Sequence, residues 1–132
     1  MNIKKATAQR LLAIPELTAI TSTRIYRGGR LPKDQALQPP HVIIWQVSKD
    51  RLYDHEGYSG LTEVMLQISC FSRDPDETDS MAKTIRQSME AWPAENTDID
   101  SVFIDDESDF FEQETLIHHV PLDVNISYRE KE

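Results

Sequence analysis

Leu61-Thr-Glu-Val-Met-Leu-Gln-Ile-Ser-Cys-Phe-Ser-Arg73, followed by Asp74-Pro75-Asp76-Glu77 and a helical stripe ending at Trp92, is the stretch that decides the fold. Val64, Leu66, Ile68 and Cys70 fall on one face of an extended chain, with Glu63, Gln67, Ser69 and Arg73 on the other. That period of two is the pattern of an antiparallel strand covered on one side only. At the junction Asp74 is placed to cap a helix, Pro75 suits its first position and Glu77 has capping-box spacing. Asp76 and Glu77 put negative charge at the positive end of the helix dipole. Met81, Ile85, Met89 and Trp92, with Ala82 beside them, then form one apolar helical stripe, which Pro93 is expected to stop.

Outward from this run, Ile3, Thr7, Leu11 and Ile14 make a short helical stripe that Pro15 ends or offsets. A further turn of helix is expected over Glu16 to Thr21, then a brief strand at Ile25-Tyr26-Arg27 stopped by Gly28-Gly29. Residues 28–40 read as an extended surface segment. His41-Val-Ile-Ile-Trp-Gln-Val-Ser-Lys49 is rich in β-branched and aromatic residues and reads as a strand. Asp50 to Gly60 is expected as a long loop or flexible hairpin tip. Ser101 to Glu112 reads as a strand kinked near Asp105-Asp106-Glu107. In the last strand Leu116, Val120, Leu122, Val124, Ile126 and Tyr128 alternate with Ile117, His119, Asp123, Asn125 and Ser127. Pro121 lacks an N–H, which marks an edge or a bulge.

Helices and strands do not alternate one for one, so a parallel βαβ sheet is not expected. The reading is α+β: a mainly antiparallel sheet of about four to five strands with two helices packed on one face. The 132 residues suit a single domain, with extended loops near 28–40 and 50–60.

The net charge of −9 argues against generic binding to a phosphate backbone. Its distribution is uneven. Residues 1–51 carry nine Lys/Arg and three Asp/Glu, whereas residues 52–132 carry five and twenty. Either the second part is an ordinary solvated acidic face, or the basic part of one copy meets the acidic part of another. No apolar run reaches the ~18 residues of a membrane span, and the start lacks a signal-peptide apolar stretch, so cytoplasmic synthesis without a membrane partner is expected.

Motifs that would carry chemistry are weak. Asp54-His55-Glu56 and His118-His119 are consecutive residues, whose side chains point to opposite faces when extended, so neither is a natural metal site. Asp105-Asp106-Glu107-Ser108-Asp109 lacks the central glycine and ligand spacing of a calcium loop. Gly28-Gly29-Arg30 fits neither phosphate-binding glycine pattern. Cys70, the one cysteine, faces the expected core and reads as an inert thiol. His118 falls on the apolar face as a core or interface histidine. No catalytic residue, metal or cofactor is assigned, and the chain is not expected to be an enzyme.

Three stretches carry a family likeness: Pro39-Pro-His-Val-Ile-Ile-Trp-Gln-Val-Ser48; the strand ending Ile-Ser-Cys-Phe-Ser-Arg73 with the helix carrying Met81-Ala82-Lys83; and the acidic-aromatic segment from Phe103 through Val120-Pro-Leu-Asp123 to Tyr128. In content and order the chain resembles the tail-completion or tail-terminator proteins of long-tailed bacteriophages and prophages, including minor tail and head–tail joining components. The resemblance implies a structural virion-tail protein that forms a hexameric ring on the tail tube. That ring ends tube polymerisation, offers a joint to the head connector and lets DNA pass without specific binding. Within that reading Arg24, Arg27, Arg30 and Lys33 are candidates for contacts with acids of a neighbouring subunit or the connector. Tyr53 and Tyr58, in the segment Asp50–Gly60, are candidate docking anchors. Asp105, Asp106, Glu107 and Asp109 are a candidate acidic channel or interface surface. The alternative is a small non-enzymatic adaptor or ligand-binding α+β domain acting as monomer or dimer.

Overall fold

The computed structural model describes residues 2–28 and 38–130. In chain order these form α1 (Ile3–Leu12), α2 (Pro15–Thr21), β1 (Ile25–Arg27), β2 (His41–Asp54) and β3 (Gly57–Ser72). Then follow α3 (Pro75–Glu95), β4 (Ile99–Glu107), β5 (Phe110–Glu112) and β6 (Ile117–Arg129). The six-stranded sheet runs β1-β2-β3-β6-β4, with β5 also on β6. Among the described residues the β1–β2 pair alone is parallel, so the sheet is mixed, and there are six strands and three helices against the expected four to five and two.

The third helix is the turn expected over Glu16 to Thr21, offset from α1 and beginning at Pro15, with Ile14 at its N-cap position and no side-chain cap. The extra strand arises where the expected kinked strand breaks at Ser108-Asp109. Pro121 explains the break. It lies within β6, and its carbonyl accepts a long bond from the Ser108 N–H, 3.4 Å, on the β4 side. A proline offers no N–H in return there, so the ladder lapses between Glu107↔Leu122 and Phe110↔His119.

Even-numbered residues of β3 and β6 form the inner face: Val64, Leu66, Ile68, Cys70, Leu122, Val124 and Ile126 are buried against the helices. Register makes this consistent, with Val64 opposite Ile126, Leu66 opposite Val124 and Ile68 opposite Leu122. Met81, Ile85, Met89 and Trp92 of α3 complete the core as their spacing predicts. Each such burial contributes about 1.5–3 kcal/mol. Arg10 ties α1 to α3: its guanidinium donates to the Ser88 carbonyl at 2.7 Å, pairs with Glu95 at 2.6 Å and lies over the Trp92 ring.

One local expectation is corrected and another is decided between its alternatives. Pro93 does not stop α3, which continues to Glu95 because its fixed φ is already helical and one ladder bond is dispensable in a last turn. Of the two forms expected for residues 50–60, a long loop or a hairpin tip, the structure has the hairpin. Both strands continue through them to a two-residue turn, His55-Glu56, with the Asp54 carboxylate accepting the Glu56 N–H at 2.8 Å and Gly57 at φ +113°. Asp at the first turn position and Gly at the fourth favour that tight reversal. The helix cap also differs in detail. Asp74 accepts the Asp76 N–H, but Glu77 reaches the Ser72 hydroxyl at 2.7 Å, and that hydroxyl in turn accepts the Asp74 N–H. Serine thus relays the bond that a capping box makes directly.

Candidate interaction surfaces

The helices cover one face of the sheet, leaving odd-numbered residues of β3 and β6 on the other. There the register sets His41 opposite Phe71, Phe71 opposite His119 and His119 opposite Phe110. The rings form a row across the sheet. Tyr26 lies 6.4 Å from His41, His41 4.6 Å from Phe71, Phe71 4.3 Å from His119 and His119 5.9 Å from Phe110. The two central pairs are stacked, the others tilted. With Ile43, Phe111 and Ile117, the part of the row from His41 to Phe110 borders a groove of about 490 Å³. Burial lowers the pKa of both histidines, opposed at His41 by a hydrogen bond with the Gln38 backbone and aided there by the nearby charges of Arg24 and His119. His41 Nδ1 and His119 Nε2 are buried without a hydrogen-bond partner. The row is not legible in the sequence, since no periodicity within one strand reveals which residues stand opposite across three.

The β1 edge is basic. Lys5, Ala8 and Leu12 of α1, with Ile25, Tyr26 and Arg27, line a groove of about 310 Å³ that contains two cations and no acid. Arg27 makes no ion pair among the described residues. Arg24, expected as a surface contact, is instead turned inward: Nε donates to the Pro40 carbonyl at 2.9 Å and Nη2 to that of Ile20 at 3.4 Å. Arg30 and Lys33 lie outside the described residues.

The opposite edge is acidic and aromatic. Asp105, Asp106, Glu107 and Asp109 are exposed together along β4 and the step into β5. Glu107 is already paired with Arg86 of α3 at 2.8 Å. Next to them Phe110, Phe111 and Leu116 are 56%, 49% and 60% exposed, flanked by Glu112 and Glu114. Phe111 packs on His118, ring centroids 4.6 Å apart, which makes His118 a half-buried edge residue and not a core one.

Among the described residues no further strand lies beside the β2–β3 arm beyond Leu61. Arg51 lies 4.0 Å over the Tyr58 ring, and Tyr53 meets Tyr58 edge-on at 6.0 Å. Tyr53 is 67% exposed, whereas the Tyr58 hydroxyl is held by Thr62 at 2.6 Å. Thr62 donates to Glu130, which also pairs with Lys49. Burial works against the Glu130 carboxylate, yet Lys49 and Thr62 hold its pKa below the usual value. The arm is therefore braced at its base and presents one aromatic ring, Tyr53, near its tip.

Cys70 is fully buried, its pKa pushed up to about 12 by burial and the Glu107 charge. Among the described residues no group of three His, Cys, Asp or Glu side chains is arranged to hold a metal, and no helix is long and apolar enough to cross a membrane.

The family model described as tail completion protein gp17 matches residues 5–129. The chain belongs to that family. Tail completion proteins are structural components of the phage tail, which places the chain in the virion. Its fold is similar to that of a chain in the virion of a native gene transfer agent particle, with a TM-score of 0.70 at 12% identity. The match covers 97% of this chain and 95% of the other. No curated protein matches the sequence.

Proposed function

We propose that copies of this tail completion protein join head to tail into a hexameric ring that caps the tail tube, ends its polymerisation and forms the joint to the head connector. The observation that carries this reading is the opposed charge at the two ends of one sheet: a basic groove at β1 and an acidic, aromatic edge at β4–β5. Such unlike surfaces on one molecule suit a heterologous contact, which closes into a ring when the rotation permits. Arg27 belongs to the basic contact. Tyr53 on the projecting arm is the anchor for the tube or connector, with Tyr58 stiffening the arm from within. Asp105, Asp106 and Asp109 face the channel or a subunit boundary. On a channel wall, like-charge repulsion would let DNA slide without specific binding. The chain works by assembly, without catalysis or cofactor.

Electron microscopy of tails made without the protein tests this. Overlong tubes support termination, and tails of normal length lacking heads reduce the role to joining. Normal, headed virions overturn the reading.

A further inference from the structure

The two edges differ in shape as well as charge. At β5 two phenylalanines stand out from the sheet edge, Phe110 toward the uncovered face beside His119 and Phe111 beside His118, with Asp109 and Glu112 flanking them. At β1 the α1–β1 groove offers Ala8, Ile25, Tyr26 and the 40% exposed Leu12 as apolar walls, with Lys5 and Arg27 at its rim. One surface is a knob with acids; the other is a recess with bases.

They cannot meet within one molecule. In the order β1-β2-β3-β6-β4 the two edges are four strand spacings apart, about 20 Å. Among the described residues no strand lies beyond β1 or beyond β4 and β5, so each edge can face another copy.

We infer that the segment Asp109-Phe110-Phe111-Glu112 of one copy seats in the α1–β1 groove of the next, with Phe111 against Leu12 and Ala8 and with Glu112 and Asp109 facing Arg27 and Lys5. This rests on the head-to-tail assembly proposed above and names the surfaces that make it. Phenylalanine is an effective anchor because it removes a large apolar area from water at little conformational cost. The ion pairs lie at the rim, where they set register and orientation more than affinity. Asp109 and Glu112 would also repel a second β5 edge, so the contact excludes a symmetric pairing of like edges. The ring row from Tyr26 to Phe110 would then continue from copy to copy.

Three variants of the full chain test the assignment by light scattering. Lys5→Glu with Arg27→Glu disables the groove, and Phe110→Ala with Phe111→Ala disables the knob; all four side chains are at least partly exposed, so thermal unfolding should stay near wild type. Each variant alone should lose self-association. An equimolar mixture of the two should give a heterodimer at twice the 15.2 kDa chain mass and nothing larger, since only one productive contact remains. Adding Asp109→Lys and Glu112→Lys to the groove variant should restore assembly.

If wild type assembles and both variants assemble equally well, the contact surfaces are wrong while the ring reading stands. Where wild type is monomeric in solution, Leu12→Cys with Phe111→Cys is oxidised in purified tails, with Cys70 buried and silent. A covalent ladder of multiples supports the contact. Single-chain bands only, with the protein at one copy per tail, overturn ring and contact together; single-chain bands with several copies per tail overturn the contact alone.

Discussion

Phe71 and His119 stack across β3 and β6 with centroids 4.3 Å apart and planes 12° from parallel. This contact sits at the middle of the ring row and holds an imidazole against an apolar face. His41 stacks on the neighbouring side of the same phenylalanine at 4.6 Å.

Stability should fall as pH drops below the ordinary histidine value of 6.5. Both histidines have lowered folded-state pKa values, chiefly from burial. Between the folded and unfolded pKa the unfolded chain binds more protons, so acid favours unfolding and the stabilisation is complete above about pH 6.5. Melting temperature followed from about pH 7.5 to 5.5 reads this. The His41→Gln/His119→Gln variant should show a flatter profile over that range; an identical slope would assign the dependence to other groups.

Arg10→Ala should lower unfolding stability by about 2 kcal/mol, because the Ser88 carbonyl loses a charge-assisted donor and Trp92 loses a packing surface. Glu95→Gln should cost under about 1 kcal/mol, since Glu95 is 58% exposed. Urea midpoints measure both. Equal losses would mean that the ion pair, not the carbonyl contact, joins the helices.

Cys70 should resist thiol reagents in the folded chain at neutral pH. Its thiol is buried and its pKa is pushed up to about 12, so almost no thiolate exists to react. Labelling should instead follow unfolding and accelerate with urea. Rapid native labelling at pH 8 would contradict the placement of Cys70 in the core.

Much of the fold was legible because it depends on local periodicity. The faces of β3 and β6, the α3 stripe and the inward Cys70 follow from which residues recur at two or at three and four positions. Local rules failed where chain neighbours were not the deciding ones. Pro93 reads as a stop from its own chemistry, yet the helix runs two residues past it, because its φ is helical and a last turn can lose one bond. The polar composition of 50–60 leaves a long loop and a hairpin tip both open, and cross-strand pairing with an Asp-x-x-Gly turn decides for the hairpin.

The candidate contact surfaces were only half legible. The charge asymmetry between residues 1–51 and 52–132 is a property of sequence alone, and so are the acidic run and the basic residues near Arg27. Which of those residues act together is a matter of tertiary structure. Arg24 and Arg27 look alike in sequence, but folding spends the first on the Pro40 and Ile20 carbonyls and leaves the second at a groove. His41, Phe71, His119 and Phe110 are far apart in the chain and become a single row only through strand register. Side-chain period is written locally, so sequence determined the two faces of each element. Register and edge position depend on contacts between distant segments, so only the assembled sheet decided what stands opposite what.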